Sequence, residues 1–331
     1  MPDPVTPYTI MSLISKFHES RIFLTAAEMG VFTLLAKNPM PAPEIANQLK
    51  ATVRGITILL DAVVSMGLLE KKEGKYHCPA EAASILSKES PTSIMPMVML
   101  SAGGWKRWSD LTDIVRYGKD RTKATGLDMN ESEEEAFIGA MHAIASRMAP
   151  WIVAAIKPGK AKKLLDIGGG SGSYAQAFLE TSPGLTATIF DLPSVINIAQ
   201  RRLSTTGLLD RIKLVAGDFY KDDLPTGHDL ALLSAIIHQN SPEQNIELYR
   251  KIFRVLLPGG RLVIRDHVMS SDHTQPASGA FFAVNMLVVT AGGGTYSFDE
   301  IKSSLKSAGF VKINLIQPDE RMNGLVEGFK P

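Results

Sequence analysis

The chain of 331 residues contains one cysteine, Cys78, so no disulfide can form within the chain. The formal net charge is only +1, and no global field attracts the protein to nucleic acid or to an anionic membrane. The N-terminal residues lack the basic and apolar regions of a signal peptide. The longest uncharged apolar stretch, residues 281–291, is too short to span a bilayer. These absences predict a cytoplasmic protein that binds neither nucleic acid nor a membrane.

Several catalytic motifs are also missing. The single cysteine rules out metal sites built from several cysteines, and the 7 histidines show no ligand spacing such as H-E-x-x-H, so no metal is expected. Neither G-x-S-x-G nor G-x-x-x-x-G-K-[ST] occurs, which argues against an α/β-hydrolase serine and a P-loop. The apolar fraction of 45% is ordinary for a soluble protein, and the length favours two domains.

The most informative stretch is KKLLDIGGGSGSYAQAFLE, residues 162–180. An apolar run containing Asp166 ends in Gly168, Gly169 and Gly170, which predicts a buried strand, a tight turn and a helix start. The free N–H groups of that helix are a seat for an anionic group. The dinucleotide fingerprint G-x-G-x-x-G needs a glycine where Ser173 stands, and it lacks the preceding acid. The acid favours a ligand with a positive charge and no phosphate, such as S-adenosylmethionine (SAM).

Two further acids end later apolar runs. Asp191 closes TATIFD, about one β-α unit after the glycines and just before Leu192. An acid at this position can accept hydrogen bonds from both ribose hydroxyls. Asp218 closes the third run, with Phe219 beside it as a stacking face for adenine. Any one acid has an alternative role in a solvated turn or helix N-cap, but their common position at strand ends favours a cofactor cradle.

Residues 1–90 are predicted to form a winged-helix dimerisation domain. Residues 10–35 have apolar positions at helical spacing and thin polar faces, so these helices must be buried in the domain or against a second subunit. A helix-turn-helix follows, and residues 68–76 predict a β-hairpin wing. Its second helix, residues 53–66, offers Arg54 and little else to DNA. Dimerisation is therefore favoured over the alternative of a winged-helix regulator that senses a metabolite.

Residues 91–160 are predicted to be a mostly helical linker that contributes to a substrate pocket. The region is rich in methionine and aromatic residues, and methionine lines adaptable pockets. A polar stretch, residues 119–135, is predicted to be a surface loop, with an acidic run at its end that opens a helix. The pocket candidates lie on the helices that join the two domains: Trp108, Phe137, Met141 and His142.

From residue 161 to the C-terminus, strand and helix patterns alternate, which predicts an α/β fold with a doubly wound, Rossmann-like sheet. Ligands bind such sheets at the carboxyl ends of the strands. His238 and Asp266 follow predicted strands, and so does the helix that carries Asn285 and Met286. These residues are therefore further candidates for a site at that edge.

Six stretches of the sequence resemble SAM-dependent O-methyltransferases of the caffeate, acetylserotonin and antibiotic-tailoring type. They are LLDIGGGSG, TIFDLPSV, GDFY, AIIHQNSPEQN, LLPGGRLVIRD and GGTYSFDEIKSSLKSAGF, and the resemblance runs from about residue 12 to the C-terminus. It implies a class I methyltransferase sheet, SAM as methyl donor with S-adenosylhomocysteine (SAH) as product, and a homodimer with interlocked N-terminal helices.

The resemblance also implies a general base, because His238 matches the family's catalytic histidine. Asp266 stands where the family places a glutamate beside that histidine, and Thr295 replaces a second glutamate. Gln239 and Asn240 replace the usual Asp-Trp pair. We predict methylation of a hydroxyl on a small aromatic or polyketide-like molecule. The alternatives are a C-methyltransferase, or a SAM-binding tailoring enzyme that does not use His238 as base.

The expected contacts form two groups. Ser234 joins the cofactor group, although many relatives have a basic or bulky residue at its position. The expected cofactor-binding residues are Asp166, Gly168, Gly169, Gly170, Asp191, Leu192, Asp218, Phe219 and Ser234. The expected acceptor-binding residues are Trp108, Phe137, Met141, His142, Asn285 and Met286.

Overall fold

The computed structural model describes residues 4–118 and 131–331, without the side chains of residues 131–133, 135 and 136. The chain forms two compact units, Met1–Lys106 and Arg107–Pro331. The sequence predicted a helical region between residues 91 and 160, and the structure divides this region between the two units. The described residues from 107 onward belong to the same unit as the sheet.

The first unit is mostly helical. Its strands form a three-stranded antiparallel sheet in the order β1-β3-β2. Helices α3 and α4 form the predicted helix-turn-helix, and the predicted wing is the β2–β3 hairpin, whereas β1 was not predicted. The elements are α1 (Pro7–Glu28), α2 (Val31–Leu35), β1 (Met40–Pro41), α3 (Ala42–Gln48), α4 (Val53–Ser65), β2 (Glu70–Lys72), β3 (Lys75–His77), α5 (Ala80–Leu86) and α6 (Met95–Ser109), which crosses into the second unit.

Helix α4 shows how this unit holds together. Thr52 caps the helix by accepting a hydrogen bond from the Gly55 N–H at 3.1 Å. Ile56, Leu60 and Val63 follow at helical spacing and are buried in the unit's core. The opposite face of α4 is exposed and does not pack against the core of this unit.

The N-terminal half of α1 presents an apolar surface to solvent in the single chain. Most of its large side chains are at least half exposed there, although their spacing predicted burial. A contiguous exposed apolar surface marks an interaction site. The exposed residues are Tyr8, Ile10, Met11, Leu13, Ile14 and Phe17.

The second unit is an α/β domain around a seven-stranded sheet in the order β11-β12-β8-β7-β4-β5-β6. Strand β12 runs antiparallel to its neighbours and the other pairs are parallel. Its elements are α7 (Leu111–Tyr117), α8 (Glu131–Ile156), β4 (Lys163–Ile167), α9 (Ser173–Thr181), β5 (Thr186–Asp191), α10 (Pro193–Leu203), β6 (Ile212–Ala216), β7 (His228–Ser234), α11 (Pro242–Val255), β8 (Leu256–Asp266), β9 (Val268–Met269), α12 (Ala277–Val289), β10 (Tyr296–Ser297), α13 (Phe298–Ser307), β11 (Val311–Gln317) and β12 (Gly324–Phe329).

The sheet order places the ligand edge at β4 and β7. The chain winds outward from β4 through β5 and β6, then returns to the other side of β4 as β7. Connections therefore leave in opposite directions at this point, and a crevice opens beyond the carboxyl ends of the two strands. The glycine turn follows β4 directly, so the sequence and the topology identify the same edge.

Two predictions about elements need correction. The apolar pattern of residues 261–268 predicts a strand over those residues. In the structure this strand, β8, begins earlier, at Leu256, because it continues through the Pro-Gly-Gly segment, and it ends at Asp266. Residues 119–130 of the predicted surface loop lie outside the described residues. The acidic residues 131–135 open helix α8, which confirms the predicted helix opening, so the predicted loop extended too far toward the C-terminus.

Helix α8 is the most apolar long helix in the described chain. Its segment Phe137–Ile156 has a mean hydropathy of 1.2 and enough length to cross a membrane. However, Ala149, Ile152, Val153 and Ile156 are buried in a core cluster with residues of α9 and the sheet. This packing accounts for the apolar character of that half of the helix.

Candidate active site at the carboxyl edge of the sheet

The glycine turn after β4 depends on backbone conformations that side chains disfavour. Gly168 has φ of +66° and Gly170 has φ of +55°. A Cβ on Gly169 would lie 2.9 Å from both Asp166 Cγ and Ile189 Cγ2. The turn therefore requires glycine for conformation at two positions and for space at the third.

Asp191, the last residue of β5, holds this turn in place. Its carboxylate accepts a hydrogen bond from the Gly170 N–H at 2.7 Å and another from the Leu192 N–H at 2.8 Å. Each carboxylate oxygen can accept more than one hydrogen bond. Asp191 therefore orders the glycine turn and retains acceptor capacity for a ligand.

Asp166 lies beneath the same turn and is 1% exposed. Burial raises the pKa of Asp166 to about 7, and the nearby charge of Asp191 adds to the effect. Burial also raises the pKa of Asp191. The Oδ2 atom of Asp166 has no hydrogen-bond partner among the described residues. The protein itself therefore stabilises the ionised form of Asp166 poorly, and a cationic ligand beside it would favour that form.

The raised pKa of Asp166 predicts a distinctive effect of pH on stability. Between its unfolded pKa of about 3.9 and its folded pKa of about 7, the folded state binds more protons. The stability contributed by protonated Asp166 is therefore lost as pH rises through this range. The Asp166→Asn variant lacks this titration. We therefore expect the free energy of unfolding of Asp166→Asn, minus that of the natural protein, to increase by up to about 1.4 kcal/mol for each pH unit between pH 5 and 7. Urea unfolding at several pH values without ligand measures this, and parallel profiles would contradict it.

The segment after β6 closes another side of the edge. A Cβ built on Gly168 would lie 2.6 Å from Ile236 Cδ1 and 3.7 Å from Phe219 Cε1, so Phe219 borders the turn. Burial alone would raise the pKa of Asp218, but hydrogen bonds from the Tyr220 N–H and from Lys221 lower it. Asp218 is therefore held ionised within its own loop.

His238 and Asp266 meet beyond the ends of β7 and β8. His238 Nδ1 lies 2.9 Å from each Asp266 carboxylate oxygen, and the two side chains are 13% and 1% exposed. Burial would raise the pKa of Asp266, but the charge and hydrogen bonding of His238 lower it. The ionised carboxylate accepts a hydrogen bond from the Nδ1–H group of His238. The arrangement therefore leaves His238 Nε2 as the ring nitrogen that can accept another proton.

The position of the His238 ring is set from several directions. Phe282 of α12 packs edge-on against it, with ring centroids 4.9 Å apart. The main-chain oxygen of His238 accepts a hydrogen bond from the Gly294 N–H at 2.8 Å. A Cβ on Gly293 would lie 2.3 Å from that oxygen, so the glycine loop can approach only without a side chain. The ring therefore has one defined orientation.

The expected acceptor residues separate into two groups. The Trp108 indole N–H donates a hydrogen bond to Asn285 Oδ1 at 3.2 Å, which joins α6 to α12. Met286 on α12 is buried, and Phe137 and Met141 are half-buried one helical turn apart on α8. His142 lies beside the glycine turn, with its Nδ1 2.8 Å from Ser173 Oγ at the start of α9. Its role in binding the acceptor stays a prediction.

The sequence reasoning missed several residues at this edge. Ser171, Ser173 and Tyr174 lie in and after the glycine turn, and their hydroxyl groups were not considered. Arg265 was also missed, although a charged residue inside the apolar strand RLVIRD is a visible signal. Phe282 gave no signal, because its contact with His238 depends on how α12 packs.

Comparison with known families matches both parts of the chain. A model of the O-methyltransferase domain matches residues 108–311. A model of the O-methyltransferase dimerisation domain matches residues 11–88. The two matches together cover most of the chain and agree with the α/β and helical units described above.

Individual proteins give the same result. The chain is 30% identical to a 3-hydroxy-5-methyl-1-naphthoate 3-O-methyltransferase of Streptomyces sahachiroi, over 99% of this chain and 97% of that protein. It is 31% identical to the acetylserotonin O-methyltransferase of Gallus gallus, over 93% of each. The crystal structure of human N-acetylserotonin methyltransferase in complex with SAM has a TM-score of 0.85 and 25% identity, covering 100% of this chain and 99% of that one. The chain therefore belongs to the family of SAM-dependent O-methyltransferases of the acetylserotonin and polyketide-tailoring type.

Proposed function

We propose that this enzyme methylates a hydroxyl group of a small aromatic or polyketide-like molecule, with His238 as the general base. The observation that carries the proposal is the pair formed by His238 Nδ1 and the buried Asp266 carboxylate at 2.9 Å. The pairing leaves Nε2 as the proton acceptor at the edge where the cofactor residues also lie. A deprotonated phenol or enol is the nucleophile that methyl transfer requires.

The residues at the sheet edge fit SAM. Asp191 retains acceptor capacity for the ribose hydroxyls, and Phe219 borders the glycine turn as a face for adenine. The unpaired Oδ2 of Asp166 suits a positively charged ligand. When bound, SAM supplies an electrophilic methyl group whose transfer leaves a neutral thioether. The protein's own contribution is to hold the partners at attack distance and to remove the hydroxyl proton.

His238 and Asp266 divide the proton transfer between them. Nε2 takes the proton from the acceptor hydroxyl, and the imidazolium that forms is stabilised by the carboxylate at Nδ1. Because Asp266 is buried and carries a lowered pKa, it stays ionised and holds the ring in one tautomer. Phe282 excludes water from one side of the ring.

The acceptor side of the site favours flat, apolar molecules. Trp108 and Asn285 form a hydrogen-bonded pair, and half-buried or buried methionines and Phe137 supply adaptable apolar surface. The relatives named above act on a hydroxynaphthoate and on acetylserotonin, which are aromatic compounds. Screening an acceptor library of phenols, naphthols and polyketides with methyl-labelled SAM tests the proposal. Transfer to carbon, or to none of these hydroxyls, would contradict it.

We also propose that the chain acts as a homodimer through α1. The dimerisation-domain match covers this helix, and its exposed apolar side chains would be buried by a second copy. Phe17 is the last residue of this surface along α1 and is 53% exposed in the single chain. Binding to nucleic acid or a membrane is not part of the proposal, and a cytoplasmic location stays a prediction.

The dimer proposal gives a direct prediction. Phe17→Asp removes an apolar contact from each of two symmetric positions and adds a charge. We therefore expect the dimer dissociation constant to rise by about 10²-fold or more, since burying one Phe contributes roughly 1.5–3 kcal/mol. Light scattering after size exclusion measures the mass. Lys16→Asp, an exposed neighbour with the same new side chain, should remain dimeric. A monomeric natural protein, or a dimeric Phe17→Asp, would be inconsistent with an α1 interface.

A further inference from the structure

Arg265 is a buried basic residue that forms no ion pair within the part of the chain that the structure describes. It lies near the end of β8 and is 6% exposed. Its guanidinium carbon lies 5.8 Å from the centre of the Tyr174 ring, and Nη2 reaches only the sulfur of Met148 at 4.0 Å. Nε has no hydrogen-bond partner among the described residues. Arg261, at the other end of the strand, instead pairs with Glu327 at 2.7 Å.

A buried guanidinium group without an ion-pair partner is stabilised when an anion binds beside it. Removing a charge from water costs free energy that only a counter-charge and hydrogen bonds offset. The chain supplies such a partner to Arg261 but, within the described residues, forms no ion pair with Arg265. The missing partner is therefore expected to come from a ligand.

The polar groups around Arg265 form a row under the glycine turn. Arg265 and Ser234 are register partners on β8 and β7, and Asp166 lies on the next strand, β4. The residue two positions before each of them belongs to one hydrophobic core, which also includes Tyr174. These preceding residues are Val263, Leu232 and Leu164, in the same order as Arg265, Ser234 and Asp166. Alternation along a strand therefore puts all three side chains on the same sheet face. We name Asp166, Tyr174, Ser234 and Arg265 the polar row.

Among the described residues, no partner of hydrogen-bond geometry is present for Asp166 Oδ2, Tyr174 Oη, Ser234 Oγ or Arg265 Nε. The hydroxyl groups of Tyr174 and Ser234 are close enough to interact with each other, so the charged atoms of Asp166 and Arg265 are the ones left without a partner. Several unsatisfied polar atoms in one place are unusual in a folded protein and indicate a missing ligand or water. The row has an acid at one end, a base at the other and hydroxyls between them. A zwitterion with an ammonium and a carboxylate has the complementary charges.

We propose that Arg265 and Ser234 bind the carboxylate of the amino-acid end of SAM, while Asp166 faces its ammonium. The inference rests on the proposed binding of SAM at this edge, and it identifies Arg265 as the positive group that pairs with the carboxylate of SAM. Ser234 on β7 carries no charge that could pair with the carboxylate. The neighbouring strand β8 supplies the positive charge through Arg265. Arg265 is thus a binding residue for the methyl donor rather than a structural arginine.

The test compares two ligands that differ in the amino-acid end. SAH contains this end, whereas 5′-methylthioadenosine has the same nucleoside and thioether without it. In calorimetric titrations we expect Arg265→Gln to weaken SAH binding by roughly tenfold or more, because it removes a charge-assisted contact. Binding of methylthioadenosine should change by less than about twofold, and Arg265→Lys should recover part of the SAH affinity.

Controls separate the possible failures. Arg261→Gln should leave both affinities unchanged, and Asp191→Ala should weaken both ligands. Equal weakening of both ligands by Arg265→Gln, or of neither, would overturn the role of Arg265. A natural protein that binds neither ligand would instead overturn the proposed cofactor site.

If Arg265→Gln fails to fold, SAH lacking only its carboxylate should still bind the natural protein roughly tenfold more weakly than SAH. Equal affinity for the two would refute the inference, with water filling the polar row.

Discussion

Replacing His238 by alanine is expected to lower turnover by about 10²- to 10⁴-fold, the usual contribution of a positioned general base. SAM affinity should stay within a few-fold of that of the natural enzyme, because Asp191 and the glycine turn do not depend on the His238 ring. Single-turnover rates with an aromatic acceptor that carries a free hydroxyl and that the natural enzyme methylates, together with calorimetry for SAM, measure the two effects. A large loss of rate with intact binding assigns His238 to the chemical step.

The acidity of the acceptor sharpens this experiment. An acceptor whose hydroxyl is already ionised at the assay pH needs no base, so His238→Ala should slow it much less than a weakly acidic phenol. Asp266→Asn should give an intermediate loss, since an amide does not hold the Nδ1–H tautomer or stabilise the imidazolium. His273→Ala serves as a control, because His273 is exposed and pairs with Glu300 away from the His238 ring.

Two results would contradict the role of His238. Turnover within about threefold of the natural enzyme would show that no proton is removed by this ring. An equal loss for ionised and neutral acceptors would indicate a positioning role instead of base catalysis. Either result would favour the alternative of a tailoring enzyme or C-methyltransferase that does not deprotonate its substrate through His238.

Replacing Asp191 by alanine is expected to weaken the binding of SAM and SAH by about 10²-fold or more. The carboxylate would lose its hydrogen bonds to the ribose hydroxyls, and each hydrogen bond to a charged group contributes roughly 1.5–3 kcal/mol. The Gly170 N–H would also lose its acceptor, so the glycine turn would be less ordered. Calorimetric titration with both ligands measures the change.

Asp191→Asn is the matched variant for this prediction. It keeps one acceptor oxygen and nearly the same shape, so its affinity should lie between those of the natural protein and Asp191→Ala. Asp229→Ala is a suitable control, because Asp229 lies near the start of β7 and accepts hydrogen bonds from the Lys162 and Lys163 N–H groups. Unchanged SAH affinity in Asp191→Ala would remove Asp191 from the cofactor site.

Several features of the site were predictable because they depend on local sequence. The turn at residues 168–170 needs positive φ, and only glycine adopts it without strain, so its pattern was visible. Asp191 and His238 follow apolar runs, and the sheet topology makes strand ends converge. The helix-turn-helix and its wing were likewise visible from periodicity and turn residues. The boundaries of β8 were not, because a Pro-Gly-Gly segment normally signals a turn.

The sequence did not predict which side chains contact one another across different elements of the fold. His142 was predicted among the acceptor residues, and the structure adds a contact with Ser173 that the sequence did not predict. This contact depends on how α8 packs against α9. The apolar face of α1 presents the same problem, since its periodicity called for burial that the single chain does not supply. Such choices depend on contacts between residues far apart in sequence.

By itself, the sequence determined the class of fold, the glycine turn and the positions of Asp166, Asp191 and Asp218 at or beside the ends of three successive apolar runs, because these follow from residue periodicity and backbone conformation. Only the tertiary structure decided which side chains share a space. Strand register and alternation bring Arg265 beside Ser234 and turn Asp266 to the opposite face, where it meets His238. Two adjacent residues of one strand therefore lie on opposite faces of the sheet beside different groups, and no local pattern in the sequence distinguishes them.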